Sequence, residues 1–300
     1  MGWGRARPPP FRPSPRLRRA VRGAARSIAC ALILFIAGTG TALAQARPAP
    51  VDLELILAVD VSGSIDEEEA GLQRQGYVAA IADPEVVRAI ISGMLGRIAV
   101  TYFEWAGDTW QVPVLPWTLI DSPQTAQAFA AKLAAAPLGS GPWTSISDAI
   151  RTARPMFDVN EFEGTRRILD ISGDGPNNTG GLVEPERDLA VATRITINGL
   201  PIINDRFNVS RAPMPNLDLY YRNCVIGGPG AFLVLAHGFK SFAQAIRRKL
   251  ILEIADLSPN RPDRITATGL AQAGKAPPKS RWVPPCDEGE RRFRGVIEDQ

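Results

Sequence analysis

Histidine is almost absent from this chain, His237 being its one example, and cysteine occurs three times. A lone imidazole with no nucleophile or carboxylate pair beside it in sequence reads as structural, which argues against histidine-based general acid–base catalysis. Neither Cys224 nor Cys286 has a C-x-x-C or histidine neighbour, which argues against a thiolate metal site. The chain has no glycine-lysine loop to cradle phosphate and no visible internal repeat. It also lacks a run of about 20 apolar residues, the length that spans a bilayer comfortably. No acidic residue occurs before Asp52.

Opposite that missing acid stand eight arginines: Arg5, Arg7, Arg12, Arg16, Arg18, Arg19, Arg22 and Arg26. An apolar segment, Ile28 to Ala37, follows, and Ala42-Leu43-Ala44 offers a small-x-small cleavage site. Residues 1–44 therefore read as a secretory signal peptide, with 45–50 as a linker. Arg18-Arg19 has the look of a twin-arginine signal, but Arg22 and Arg26 interrupt it. Removing eight of the 34 basic residues leaves 26 against 31 acidic ones, a mature net charge of −5. The basic precursor is thus no sign of nucleic-acid binding, and no mature Lys/Arg patch carries interleaved aromatics. The expected location is periplasmic or secreted, with no stable membrane span after cleavage. In that oxidising setting Cys224 and Cys286 are a candidate disulfide pair, the alternative being a buried Cys224 and a free Cys286.

What is present is organised around residues 51–64, VDLELILAVDVSGS. Leu53, Leu55, Ile56, Leu57, Ala58 and Val59 form a nearly continuous apolar run, the pattern of a strand buried on both faces of a parallel sheet. The run ends in oxygen. Asp60, Ser62 and Ser64 alternate into a loop ahead of Asp66-Glu67-Glu68-Glu69, at the strand edge where open α/β sheets bind ligands. One carboxylate and two hydroxyls on a single turn suit a hard divalent cation, Mg²⁺ or else Mn²⁺ or Ca²⁺; the same residue types also cap helices in ordinary turns. Two later segments favour the cation. Gly141-Pro142-Trp143-Thr144 puts a threonine at the mouth of a helix, and Arg167 to Gly175 is a second strand ending in Asp174-Gly175.

In their order and spacing these three pieces resemble the von Willebrand factor type A domain family, whose metal-ion-dependent adhesion site joins Asp-x-Ser-x-Ser to a distant Thr and a distant Asp. The resemblance covers about Val51 to Ala255. It implies Ser62 and Ser64 as direct hydroxyl ligands, Thr144 as a third ligand, direct or through water, and Asp60 and Asp174 as carboxylates holding the metal's waters. More narrowly, LILAVDVSGS, INGLPI and CVIGGPGAF are similar to a bacterial branch of that family, the DUF1194 proteins, which has no assigned activity. Three neighbours are candidate ligand contacts. Trp143 reads as a partner contact or, preferably, a packing anchor, while Asn177 and Asn178 either orient ligand and water or simply serve the turn. Asp148, one turn into a helix, reads as a favourable charge on the helix dipole and is left out of the ligand set.

The remaining pattern gives a three-layer, doubly wound α/β fold over 51–256 with a mostly parallel sheet and one antiparallel edge strand. Helices are expected over 67–82 (with Leu72, Tyr77, Val78 and Ile81 inward and polar groups opposite), 85–92, 125–136, 147–156 and 185–194. A last one, over 239–255, has Arg247, Arg248 and Lys249 on its polar face. Strands are expected over 98–105, 111–117, 195–203 (with a bulge or bend at Asn198-Gly199) and 231–235. The second pairs antiparallel at the edge, where Pro113 and Pro116 are tolerated. Residues 204–223 look like an insertion whose Tyr220 and Tyr221 either recognise a partner or begin a packed helix. The tail, 257–300, reads as extended or disordered and rich in Pro and Arg.

From this follow an expected function and two alternatives. The first is an exported, non-enzymatic binding module that uses a bound divalent cation to capture an acidic group of a protein or other ligand. The second is a Mg²⁺-dependent hydrolase, disfavoured by the missing base and nucleophile. In the third the metal only stabilises the fold.

Overall fold

The chain divides into Met1–Ala46 and Arg47–Gln300. The computed structural model describes residues 48–204, 213–256 and 281–298, so the signal-peptide reading lies outside the described residues. After a short β1 (Ala49–Val51), the apolar run becomes β2 (Leu53–Asp60), buried along its whole length. Its side chains alternate between two cores: Leu53, Leu55, Leu57 and Val59 enter one, Ile56 and Ala58 the other. That alternation places β2 at the centre of a sandwich of helices around a sheet.

The sheet is completed by β3 (Ile98–Trp105), β4 (Gln111–Ile120), β6 (Arg167–Gly173), β7 (Ile195–Ile203) and β8 (Ala236–His237), in the order β4-β3-β2-β6-β7-β8. All neighbours are parallel except β3 and β4, which pair antiparallel at the edge. A separate small parallel pair joins β1 to β5 (Phe162–Gly164). On one face α1 (Glu67–Ile81), α2 (Pro84–Ile91), α3 (Pro123–Ala135) and α7 (Phe242–Ile254) supply the first core. On the other, α4 (Ile146–Met156), α5 (Val183–Ala192) and α6 (Leu217–Tyr220) supply the second. The fold is the expected doubly wound α/β arrangement with one antiparallel edge strand. Among the described residues no helix is long and apolar enough to cross a membrane.

Several expectations are corrected. The supposed polar face of α1 is largely inside: Glu69, Gln73 and Arg74 are buried, and Arg74 pairs with buried Glu104 on β3. Asn198-Gly199 makes no bulge, because β7 keeps register with β6 there (Asp170 opposite Asn198, Ile171 opposite Gly199). Gly199 serves close approach instead, since a Cβ would come within 3.0 Å of both Tyr221 and Ile226. Residues 231–235 are not a strand. Phe232 N–H donates to Asn198 Oδ1, Leu233 makes a single bridge with Gly199, and regular pairing begins at Ala236. His237 consequently lies within β8 rather than beyond a strand. Tyr220 and Tyr221 are fully buried in α6 and the π-helical turn that follows (Tyr221–Val225), so they are packing residues and not an exposed recognition patch. Lys249 is not on an exposed face of α7 but buried between Asp170 and Glu253. Finally, the tail contains α8 (Glu288–Glu298).

Candidate metal centre

Strand β2 ends by handing its oxygens to the carboxyl edge of the sheet. Asp60 and Ser62 are buried, and Asp60 Oδ1 accepts from the Ser62 N–H at 2.8 Å, which bends the chain tightly enough to bring the next hydroxyl back. Ser62 Oγ and Ser64 Oγ then lie 3.1 Å apart. Asp66 stops the turn by capping α1, accepting from Glu69 N–H at 2.8 Å while Glu69 accepts in return from Asp66 N–H, a capping box. From α1, Gln73 Nε2 donates to the Asp60 carbonyl (3.2 Å) and Tyr77 Oη to Ser172 Oγ (3.0 Å), fixing the ends of β2 and β6 against each other.

The distant segments arrive at the same place. The loop before α4 is stitched to the first turn by Gly141 N–H on the Val61 carbonyl (3.0 Å) and a bridge between Gly141 and Ser62. Thr144 is buried, and its backbone is clamped at both ends by Asn178: Thr144 N–H donates to Asn178 Oδ1 at 2.9 Å, and Asn178 N–H to the Thr144 carbonyl at 2.8 Å. At the end of β6, Asp174 Oδ1 accepts from Ser64 Oγ at 2.6 Å. A Cβ on Gly175 would sit 3.9 Å from Thr144 Oγ1, so the threonine hydroxyl borders the Asp174-Gly175 turn. One on Gly173 would come within 2.7 Å of Asp60 Oδ2 and 2.8 Å of Tyr221 Oη. Three segments far apart in sequence thus bring Asp60, Ser62, Ser64, Thr144 and Asp174 to one edge.

The donor set is two carboxylates and three hydroxyls. Among the described residues no group of three or more His, Cys, Asp and Glu is placed to hold a metal. All-oxygen donors with hydroxyls in the majority fit a hard divalent cation. Tyr221 Oη is buried beside these oxygens with no hydrogen-bond partner among the described residues. Burial first, and then the Asp60 charge, push its phenol well above the usual range, so it stays a neutral donor.

The second-rank candidates separate. Asn178 positions Thr144. Asn177 is fully buried and committed inward: its Oδ1 accepts from Ser147 N–H (3.0 Å), and its Nδ2 donates to the Thr179 and Gly181 carbonyls (both 3.0 Å) and to Glu290 Oε1 (2.8 Å). It is therefore a scaffold for the loop and not an exposed ligand contact. Trp143 is 41% exposed, adopts φ 61°, and packs edge-on against Phe293 of α8 at 4.5 Å between ring centres. Asp148 accepts from the capping Ser145 hydroxyl (2.6 Å) and pairs with Arg151, a helix-start role. Cys224 and Cys286 are joined in a disulfide. A cavity of about 470 Å³ opens beside Asp174, with His237, Asn204, Met214 and Arg281 among its lining residues. Gln73 escaped the sequence reading, which placed Tyr77 in the core and Tyr221 in a recognition patch or packed helix without foreseeing their polar neighbours at the strand ends. The i, i+4 spacing of Gln73 and Tyr77 put both on the core side of α1, but a polar partner at the strand ends becomes visible only once the sheet is assembled.

A family model described as "Protein of unknown function (DUF1194)" matches residues 50–258. Among solved structures, proximal thread matrix protein 1 from the mussel byssus aligns with a TM-score of 0.51 at 15% identity, covering 70% of this chain and 49% of that one. The pilus adhesin SpaC from Lactobacillus rhamnosus GG, in its open conformation, gives a TM-score of 0.51 at 14% identity, covering 70% and 30%. This chain spans about half or less of the length of those two proteins, and identities so low establish the shared fold alone. Comparison with curated proteins finds no match.

Proposed function

This chain belongs to the DUF1194 family, and we propose that it is an exported binding module that captures an acidic group of a partner through a divalent cation held at the carboxyl edge of its sheet. The observation that carries the reading is the meeting of Asp60, Ser62, Ser64, Thr144 and Asp174, drawn from β2, the loop before α4 and the end of β6. Ser62, Ser64 and Thr144 would hold the ion directly, and Asp60 and Asp174 would hold its waters. When bound, the ion supplies an electrophilic centre, because neutral hydroxyl ligands leave its charge available to an external carboxylate. The chain's own part is to keep five oxygens in place: Asn178 fixes Thr144, and Gln73 and Tyr77 fix the strand ends.

Export is supported by the Cys224–Cys286 disulfide, which persists in an oxidising compartment, and by the signal-like composition of residues 1–44. In this reading residues 51–256 form the module and the tail is an appendage. A binding rather than catalytic role is supported by the likeness in fold to a byssus matrix protein and a pilus adhesin.

The test is a pull-down from envelope extract with the mature protein in Mg²⁺ and in EDTA, beside a Ser62→Ala/Ser64→Ala variant. A partner retained only with metal and intact serines is the expected result. Identical captures under every condition would sink the proposal, as would a phosphatase activity lost in Asp60→Ala, which would make the protein an enzyme.

A further inference from the structure

The C-terminal segment is seated against the loops that carry the metal edge. Arg281 forms a two-pronged ion pair with Asp218 (2.6 and 2.8 Å), and Asn216 Nδ2 donates to the Trp282 carbonyl (2.7 Å). Cys286 is bonded to Cys224, which is fully buried in the second core. Beyond this point α8 crosses the Asp174 loop. Glu290 Oε1 accepts from Asn177 Nδ2 at 2.8 Å, and Gly289 lies so close over the Asn177 carbonyl that any Cβ there would collide with it. Phe293 covers one edge of Trp143, the residue next to Thr144.

Among the described residues, the ring pair with Trp143, the Asn177–Glu290 and Asn216–Trp282 hydrogen bonds and the half-exposed Arg281 ion pair are each modest on their own. The disulfide compensates by holding α8 within a few residues of its seat, which raises its effective concentration there. Trp143, in a left-handed conformation that a bulky side chain adopts only under constraint, is held where Phe293 meets it.

We propose that residues 281–298 are a disulfide-tethered strap over the flank of the metal edge, and that a dithiol reductant releases it to uncover the Trp143 and Asn177 side for a partner. The inference rests on the metal-binding reading for its purpose but not for its test. In the exchange the Cys224–Cys286 S–S bond breaks and the dithiol's two sulfurs close into a cyclic disulfide, its two electrons and two protons passing to Cys224 and Cys286, which become thiols. The tether to α8 then lengthens from about 2 residues (from Cys286) to about 7 (from the Arg281 ion pair). Effective concentration falls as roughly the −3/2 power of tether length, so docking should weaken by roughly 6-fold.

The experiment is hydrogen exchange by mass spectrometry on the full mature chain without metal, oxidised, reduced with dithiothreitol, and as the Cys286→Ser variant. Peptides spanning 141–145, 174–181 and 288–294 should exchange roughly 6-fold faster in the latter two forms, while those of β2 and β6 stay unchanged. Phe293→Ala with the disulfide intact should speed 141–145 and 288–294 by a smaller factor. Unchanged exchange in Cys286→Ser, or a disulfide that resists dithiothreitol under native conditions, overturns the proposal. Acceleration across β2 and β6 also overturns it, because the bond would then be a staple of the whole fold. A calorimetric titration with Mn²⁺ alone runs beside it: no binding in any form sinks the metal reading and leaves the strap result standing.

Discussion

Gly173 closes β6 with its Cα wedged between a carboxylate and a phenol, Asp60 Oδ2 and Tyr221 Oη, each under 3 Å from where a Cβ would stand. Both are fully buried, and neither is the far end of a flexible chain that could swing away into solvent. Gly173→Ala should therefore displace Asp60 or the end of β6. Overpacking of this kind costs about 1–3 kcal/mol, and disturbing the groups that orient metal ligands typically weakens metal affinity by about 10- to 100-fold. Urea denaturation and Mn²⁺ calorimetry on the variant would read the two effects. An affinity equal to that of the parent would mean that Asp60 has no part in holding the ion. The same scale shows what a motif conveys. Asp60, Ser62 and Ser64 could be read from spacing, whereas the Asn178 clamp on Thr144 could not, because asparagine in a glycine-rich loop is what any turn uses.

Helix α7 was legible as an amphipathic element through Phe242, Ile246, Leu250 and Ile254, all of which are buried. Its most consequential residue was misplaced. Lys249 Nζ lies 2.6 Å from Asp170 Oδ1 and 2.5 Å from Glu253 Oε1, with none of the three side chains exposed, and Asn198 Nδ2 donates to Glu253 Oε1 at 2.8 Å. A lysine that follows two arginines in sequence reads as solvated. Only the pairing of β6 with β7 under α7 brings the carboxylate and the amide to it. Two buried carboxylates share one ammonium here. Burial raises the Asp170 carboxyl from its ordinary 3.8 to about 7; Lys249 opposes the rise and the Glu253 charge adds to it. A carboxyl whose folded pKa lies above its unfolded one contributes stability in full below about pH 4 and loses it as pH climbs through about 7. Unfolding free energies measured across that window should fall with rising pH in the parent and fall less in Asp170→Asn; equal slopes would show that Asp170 does not titrate there. Lys249→Met, which leaves both carboxylates uncompensated, should cost about 3–5 kcal/mol near neutral pH.

At the scale of the molecule, the legible parts are those whose pattern is local. Strand β2 is a nearly continuous apolar run, β3 and β7 have their expected bounds, and the antiparallel edge could be placed from the prolines of β4. Helix α8 was missed because its first turns, Glu288 to Arg292, are polar and find their seat only through a disulfide and the Asn177 loop. The proposed metal edge joins these two kinds of information, since each contributing segment announces itself locally while their meeting is a property of the topology. If a cation is held there, it ties the ends of β2 and β6 to the mouth of α4 and is bound by the folded chain alone, which gives it a global effect. At a free metal concentration about 100 times Kd, the linkage amounts to about 2.7 kcal/mol. For a domain of this size that corresponds to an increase in melting temperature of about 5–10 °C. Calorimetric melting in Mg²⁺ or Mn²⁺ should show that increase, EDTA should reverse it, and Ser62→Ala/Ser64→Ala should melt at one temperature whether or not metal is added. A shift of equal size in the double variant would place the ion elsewhere on the protein; no shift in the parent at millimolar metal would leave the five oxygens as a hydrogen-bonded turn.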